Sequence, residues 1–186
     1  MENKSAGRLP LLDPQTSDRA NRETFALLPE LNLFRAMANA PSLFPFYNRY
    51  LYACFQPMQL DAGLARMIVL LTAVCSECLY VWPQNVVVAK SLGVNDDQIN
   101  ALQLGDTTAS CFSPQQQAAF VLADETIAAV DVCDTTWEAA VQALSVGAVT
   151  EVLFVVGTYM FLSRVARAGR VPLDAHPGSV SDIKPA

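Results

Sequence analysis

Helix start and stop signals recur along this chain, and no stretch alternates polar and apolar residues as a half-buried strand does. Asp61 precedes an apolar run at residues 62–75 and is a predicted N-cap. Pro83 fits only the first turn of a helix, so a second helix is predicted to begin near Trp82 and to run to Leu92, with Gly93 as the residue after its end. The chain therefore has the pattern of short, separate helices joined by brief connections.

The same signals predict the remaining helices. Ser113 and Pro114 form an N-cap and a first helical position for a helix that reaches about residue 130. Asn95 or Asp96 caps a short helix through residue 104, and Asp134 or Thr135 caps a helix at residues 136–144. The other predicted helices span residues 22–29, 31–40, 42–54 and 148–168. The predicted class is all-α, a bundle of about eight helices, with an arm at 1–22, a helical domain at 23–174 and a flexible tail at 175–186.

The composition indicates a globular chain with small-molecule partners. Of 186 residues, 52% are apolar and 16% are charged, a balance that disordered chains do not have. The net charge is −6, and no run of lysine or arginine is present. These features argue against nucleic acid and anionic membranes as partners. We expect the partners to be a small-molecule substrate and further copies of the chain.

The termini and the cysteines indicate a cytoplasmic protein without a metal. Residues 1–7 have no apolar core, so no secretion signal is predicted. The most apolar segment, residues 152–162, is too short to cross a bilayer, which needs about 20 residues. The five cysteines are an odd number, which suits a reducing compartment better than a disulfide framework. Cys75 and Cys78 have no second ligand pair, and the single histidine, His176, lies in the tail, so no zinc site is expected.

Tyr80, Trp82 and Asn85 form a Tyr-x-Trp-x-x-Asn segment, and Gly93 follows Asn85 after eight residues. Four further segments accompany it within residues 27–174: LNLFRAMANAP, GVNDDQINAL, SPQQQAAFVLADE and TEVLFVVGTYMFLSRVARAGRVPLD. Taken in order, these segments resemble the carboxymuconolactone decarboxylase family, which includes alkyl hydroperoxidase D (AhpD). Members of that family often carry a Tyr-x-Trp-x-x-His segment followed eight residues later by glycine. The resemblance implies an AhpD-like helical bundle without a cofactor, assembled as a dimer, trimer or hexamer.

The chain departs from the family at the positions used for peroxidase chemistry. Peroxidatic members carry a Cys-x-x-Cys-x-x-x-His unit and a glutamate twelve residues before the first cysteine. With Asn85 in the histidine register, the first cysteine falls on Cys78, the second on Val81 and the glutamate on Arg66. The resemblance therefore implies a site at these positions that has lost its general base, its second thiol and its acidic group.

Cys75 and Cys78 form a Cys-x-x-Cys of their own, which leaves two interpretations open. In the first they are a redox pair beside the start of the next helix. In the second they are small buried residues, as free cysteines often are. The pair lies three residues before the family's redox pair, and Glu77 between the two would raise the thiol pKa. The favoured interpretation is therefore the second, in which the two cysteines have a structural role and no redox function.

The catalytic candidates are Asn85, Arg66, Tyr80 and Cys78. Asn85 does not titrate in the working range but can orient a substrate or a water molecule. Arg66 lies in an apolar helix, so its burial requires an anion, which is either a substrate carboxylate or enolate or a protein carboxylate such as Glu151 or Asp124. Tyr80, like Tyr159 on the last helix, is a phenol able to donate a proton to an enolate.

An aromatic wall for a planar substrate is the predicted binding surface. Phe44, Tyr47 and Tyr50 share one face of a predicted helix, and Trp82 lies three residues from Asn85. The alternative for each aromatic residue is ordinary core packing. The substrate-binding candidates are Trp82, Phe44, Tyr47, Tyr50 and Tyr159.

Three functions remain open at this level. The first is a cofactor-independent, non-redox decarboxylase, isomerase or cyclase that passes through an enolate-like state. Its substrate would be a small carboxylated, lactone or polyketide-type metabolite, as in secondary metabolism. The second is a thiol-dependent peroxidase that uses Cys75 and Cys78. The third is a non-catalytic binding or assembly protein.

Overall fold

A computed structural model describes residues 7–175 and 183–184. The described residues form nine α-helices and no strand, which confirms the predicted class. The helices are α1 (Arg19–Phe25), α2 (Asn32–Met37), α3 (Phe44–Ala53), α4 (Ala62–Cys75), α5 (Val81–Ser91), α6 (Asp96–Gln103), α7 (Pro114–Ala129), α8 (Asp134–Ala143) and α9 (Val146–Ala168). Residues 1–6, His176 and most of the predicted tail lie outside the described residues.

Helix α4 is the centre of the bundle. Every residue from 63 to 73 is buried, and the helix packs against α5, α6, α7 and α9. The predicted cap is confirmed, because the Asp61 side chain accepts a hydrogen bond from the backbone N–H of Leu64 at 2.9 Å. A helix buried on all sides needs an apolar sequence all round, and α4 has one polar exception that matters, Arg66.

The capping signals were accurate for the other central helices. Asn95 and Ser113 each form a full capping box with the glutamine three residues later. Gly93 has φ +86°, a left-handed conformation that ends α5 and that favours glycine. Pro83 lies in the first turn of α5, as predicted.

Among the helix starts that differ from the predicted ones, three involve side-chain contacts that the pattern does not reveal. Helix α1 begins at Arg19, since Asp18 accepts from the N–H of Asn21. Helix α8 has Cys133 at its N-cap, where Glu125 of α7 accepts from the Cys133 N–H and from the Thr136 hydroxyl. Helix α9 begins at Val146 and is capped by the Ser145 side chain.

Helix α9 corrects the length argument made from residues 152–162. The helix has 23 residues, and by length and composition it could cross a membrane. However, half of its most apolar 18-residue stretch is buried, and the helix packs against α4, α7 and α8. Its apolar character is accounted for by its place in the core, as in core helices of soluble proteins.

Candidate functional site

A cavity of about 610 Å³ lies beside α4, under the segment that connects α3 to α4. Its wall is largely apolar and includes Phe55, Val69, Val88, Leu92 and Val155. Arg66 from α4 and Tyr159 from α9 also line it. A mostly apolar hollow with a few convergent polar groups is the usual form of a small-molecule site. We call it the Arg66 cavity.

Arg66 is almost fully buried, with 8% of its surface exposed. Its Nη1 donates to the Oδ1 of Asn85 at 2.7 Å and to the hydroxyl of Tyr159 at 2.9 Å. The guanidinium carbon lies 4.9 Å from the centre of the Phe55 ring, a cation–π contact. Its Nε has no hydrogen-bond partner among the described residues. These contacts fix the guanidinium in position but leave its charge unneutralised.

The protein carboxylates suggested as partners for Arg66 lie elsewhere. Glu151 accepts hydrogen bonds from the backbone N–H groups of Gln59 and Leu60, at 3.1 and 2.6 Å. Asp124 accepts from the thiol of Cys75. No carboxylate in the described part of the chain forms an ion pair with Arg66. The alternative that Arg66 pairs with Glu151 or Asp124 is therefore wrong, and the buried cation has no carboxylate partner within residues 7–175 and 183–184.

Asn85 is also buried, with 1% of its surface exposed, and it lies behind Arg66 rather than in the cavity wall. Its Nδ2 donates to the carbonyl of Val81 at 2.7 Å, one turn earlier on α5. That bond turns the amide so that Oδ1 faces the guanidinium. Asn85 is thus placed to hold Arg66, which makes it a positioning residue.

Tyr159 brings a phenol to the cavity. Its hydroxyl accepts from Arg66 and points its own hydrogen toward Asn85 Oδ1 at 3.4 Å. The Tyr159 hydroxyl and the Arg66 guanidinium are thus in contact with each other, and both residues line the cavity. Arg66, Asn85 and Tyr159 form one buried cluster drawn from α4, α5 and α9.

Tyr80 lies outside this cluster, so the structure does not bring it together with Arg66 and Asn85 as the prediction required. Its hydroxyl donates to the carboxylate of Asp174 and accepts from the N–H of Leu33 at 3.0 Å. Asp174 is further held by Gln84 and by the N–H of Asn32. Burial, followed by the neighbouring carboxylate, raises the pKa of Tyr80 well above its usual range. The tyrosine ties α5 to α2 and to the segment after α9, and it does not line the Arg66 cavity.

The two cysteines have different surroundings. Cys78 is buried with 2% of its surface exposed and lines neither the Arg66 cavity nor any other cavity described below. Cys75 is exposed, and its thiol donates to Asp124 Oδ1 at 3.6 Å. Although the residue as a whole is exposed, partial burial of its sulfur, followed by the nearby Asp124 carboxylate, raises the pKa of the Cys75 thiol to about 11. A peroxidatic thiol needs the opposite shift.

The predicted aromatic wall is not part of the Arg66 cavity. Phe44, Tyr47 and Tyr50 line a separate apolar groove of about 580 Å³ between α3 and α9. Trp82 is half-buried against the core and lines neither hollow. Of the aromatic candidates only Tyr159 reaches Arg66. Sequence reasoning missed Phe55. The sequence offers little to mark it beyond an aromatic residue in the segment that leads to the Asp61 cap.

Metal-binding chemistry has no obvious location in the part of the chain that the structure describes. No three side chains of histidine, cysteine, aspartate or glutamate come together there in a way that would hold an ion. The absence of a metal and of a cofactor stays a prediction from the sequence.

No protein-family model matches the sequence, and none of the curated proteins matches it. Solved structures do match. A peroxidase-related protein from Ralstonia eutropha with an alkylhydroperoxidase AhpD core has a TM-score of 0.77 at 15% identity, over 91% of this chain and 93% of that one. A peroxidase-related protein from a Silicibacter species has a TM-score of 0.76 at 16% identity, over 97% and 100%.

A third solved structure is the debrominase Bmp8, a cysteine-to-alanine variant in complex with 2,3,4-tribromopyrrole. It has a TM-score of 0.72 at 17% identity, over 91% of this chain and 92% of that one. At such low identity these similarities establish the fold and leave the chemistry open. The chain has the AhpD-like fold, as its resemblance to the family implied.

Proposed function

We propose that this AhpD-fold chain is a cofactor-independent, non-redox enzyme that binds a small anionic metabolite in the Arg66 cavity. The observation that carries the proposal is a buried guanidinium beside a cavity, with no carboxylate partner among the described residues. Burying an unpaired charge costs several kcal/mol. A substrate carboxylate or enolate would remove that cost, so the cavity is expected to bind an anion more tightly than a neutral molecule of the same shape.

The substrate class follows from the shape and polarity of the wall. One anionic group would meet Arg66, and the rest of the molecule would lie against Phe55, Val69, Val88 and Val155. A small carboxylated, lactone or polyketide-type metabolite has these two parts. The debrominase of the same fold holds a small halogenated pyrrole, which supports a compact, planar substrate for this fold.

The proposed chemistry is acid–base chemistry through an enolate. In a decarboxylation, the bond between the α-carbon and the carboxylate breaks, CO₂ leaves, and the electron pair moves onto the neighbouring carbonyl oxygen. Arg66 would stabilise that oxygen, and the Tyr159 hydroxyl would then protonate the α-carbon and recover its proton from water. Decarboxylation needs no group that removes a proton from the α-carbon, because the departing CO₂ leaves its bonding electron pair on the substrate.

The thiol peroxidase alternative has weaker support. The peroxidase-related proteins of the same fold favour it. The raised pKa of Cys75 and the separate surroundings of Cys78 oppose it. The non-catalytic alternative shares the Arg66 cavity with the enzyme and differs only in the absence of turnover.

Anion binding can be tested with benzoate and its neutral analogue benzamide. Benzoate should raise the melting temperature of the wild-type chain in a saturable way, and benzamide should not. Arg66→Gln should lose the benzoate effect, whereas Arg49→Gln, which removes an exposed guanidinium outside this cavity, should keep it. Equal effects of benzoate on wild type and Arg66→Gln would overturn the proposal.

Turnover can be tested with benzoylacetate, an aromatic β-keto acid whose decarboxylation changes its ultraviolet absorbance. We expect the wild-type chain to exceed the spontaneous rate and Tyr159→Phe to lose most of that excess. If benzoylacetate binds, as judged by a thermal shift that needs Arg66, but is not consumed, the non-catalytic alternative is favoured.

A further inference from the structure

A second cavity, of about 690 Å³, lies between the end of α4 and helices α7 and α9. It shares no lining residue with the Arg66 cavity. Its lining includes Cys75, Asp124, Ile127, Met160, Ser163 and Arg164. We call it the Ser163 cavity. The function proposed above does not use it.

The buried hydroxyl of Ser163 is the first sign of a ligand. Ser163 has 2% of its surface exposed, and its Oγ has no hydrogen-bond partner among the described residues. Helical hydroxyls in this chain usually bond to the carbonyl four residues earlier, as in Thr72, Thr126, Thr150 and Thr158. A buried hydroxyl left without a partner costs about 1–3 kcal/mol, so a polar atom of a bound molecule is the expected partner.

The charges of the Ser163 cavity are also incompletely paired. Asp124 is half-buried, and its described hydrogen bond comes from the Cys75 thiol, a weak donor, at 3.6 Å. No lysine or arginine forms an ion pair with Asp124 in the described ranges, and desolvation raises the pKa of this carboxyl. Arg164 lies exposed at the same cavity without a carboxylate partner there, whereas Arg167 is engaged by Ser76 and Glu77.

We infer that the Ser163 cavity binds a free α-amino acid with an apolar side chain. The ammonium group would pair with Asp124 and donate to the Ser163 hydroxyl. The carboxylate would pair with Arg164. The side chain would pack against Ile127 and Met160. A ligand with both charges is required because an anion alone would be repelled by Asp124 and a cation alone by Arg164.

The cavity contains its own reporter, since a ligand seated beside Asp124 covers the sulfur of Cys75. The rate of alkylation of Cys75 by iodoacetamide can be followed by mass spectrometry of the corresponding peptide. Three probes with the same phenylethyl body separate the charges: L-phenylalanine, phenethylamine and 3-phenylpropanoate. Cys133 is the internal control, because it is also exposed and also beside a carboxylate, Glu125, but lies outside the cavity.

At a concentration about ten times its Kd, L-phenylalanine should slow alkylation of Cys75 about tenfold, because protection follows 1 + [L]/Kd. The rate at Cys133 should not change. Phenethylamine and 3-phenylpropanoate should protect far less. The protection factor is the alkylation rate of Cys75 without L-phenylalanine divided by the rate with it. Asp124→Asn and Arg164→Gln should each lower this factor, whereas Glu138→Gln on the exposed face of α8 should not.

Each other outcome would overturn the inference. Absence of protection by L-phenylalanine would show that no such amino-acid site exists. Protection by phenethylamine equal to that by L-phenylalanine would exclude a role for Arg164. Equal slowing at Cys133 would show a general effect on alkylation. Because Arg66 takes no part, these results are independent of those from the benzoate experiment.

Discussion

The guanidinium of Arg66 donates to the amide oxygen of Asn85 across 2.7 Å, and both side chains are buried. Residue 85 stands where the resembling family keeps a histidine, and residue 66 stands where its peroxidatic members keep a glutamate. In the register that the resemblance implies, a cation and a neutral acceptor stand where those members have an acid and a base. In this chain the two side chains form a polar link between α4 and α5 that carries a net positive charge.

Replacing Asn85 by aspartate tests whether that charge serves a ligand. A carboxylate in contact with Arg66 would neutralise it, so Asn85→Asp should raise the free energy of unfolding by about 1 kcal/mol. The same change should weaken benzoate binding more than about tenfold, since one protein carboxylate would then compete with the ligand. Chemical denaturation and thermal-shift titration measure the two effects. Asn100→Asp, the same change at an exposed position of α6, is the control.

Unchanged benzoate binding in Asn85→Asp, together with a normal response of Asn100→Asp, would contradict the assignment of Arg66 as the anion site. Loss of stability instead of a gain would indicate that the wild-type pair already has its anion within the protein.

Tyr159→Phe separates binding from proton transfer. The variant removes one hydroxyl but keeps the ring that lines the cavity. Benzoate affinity should change less than about threefold, because Arg66 keeps its bond to Asn85. Turnover of benzoylacetate above the spontaneous rate should fall at least about 100-fold, the usual worth of a general acid. Tyr80→Phe is the matched control, and its turnover should stay near that of wild type because Tyr80 lies outside the cavity.

The contact between Tyr80 and Asp174 leads us to expect that the free energy of unfolding falls at alkaline pH. The pKa of Tyr80 is raised in the folded chain above its usual value near 10. A raised pKa contributes stability that is complete below the unfolded pKa and is lost as the pH rises above it. Tyr80→Phe should therefore cost about 1–2 kcal/mol at pH 7, where its hydroxyl bonds are lost. The difference between wild type and variant should narrow above about pH 10.

Urea denaturation at several pH values would measure this difference. Tyr47→Phe is the control for general tyrosine ionisation, because burial also raises the pKa of Tyr47 but its hydroxyl has no described hydrogen-bond partner. A gap between wild type and Tyr80→Phe that widens with pH would refute the assignment.

Two exposed thiols should differ in reactivity because their neighbours differ. Burial and Asp124 raise the pKa of Cys75 to about 11, whereas hydrogen bonding between the Cys133 sulfur and the hydroxyls of Thr135 and Thr136 lowers the pKa of Cys133. Relative to a free thiol of pKa 9, Cys75 has roughly 100-fold less thiolate near neutral pH. Iodoacetamide should therefore modify Cys133 well before Cys75 at pH 8. Faster reaction at Cys75, and its loss after peroxide treatment, would revive the peroxidase alternative.

Self-association stays a prediction, and the structure points to a surface for testing it. Leu43, Phe46 and Phe161 are exposed around the apolar groove between α3 and α9. Exposed apolar patches of this kind often mark subunit contacts. Phe46→Glu should shift the chain to a smaller species in sedimentation velocity, while Val130→Glu, at an exposed helix end outside the groove, should not. A monomeric wild-type chain would refute the prediction.

The register of the resemblance located half of the candidate site. It placed Arg66 and Asn85 at functional positions, and an arginine in an apolar helix marked a buried charge. The choice between Tyr80 and Tyr159 could not be made in the same way. Both are phenols in apolar surroundings, and the partners that hold the Tyr80 hydroxyl, Asp174 and the N–H of Leu33, lie far from it along the chain.

The sequence by itself determined the helices, because caps, prolines and glycines act within a few residues of each other. Asp61, Ser113 and Gly93 each specify a helix end wherever the rest of the chain lies. Only the tertiary structure decided which side chains meet. Arg66, Asn85 and Tyr159 come from three helices, and whether a buried charge finds a protein anion depends on packing across the whole bundle. That packing left Arg66 without one among the described residues, and the proposed chemistry follows from it.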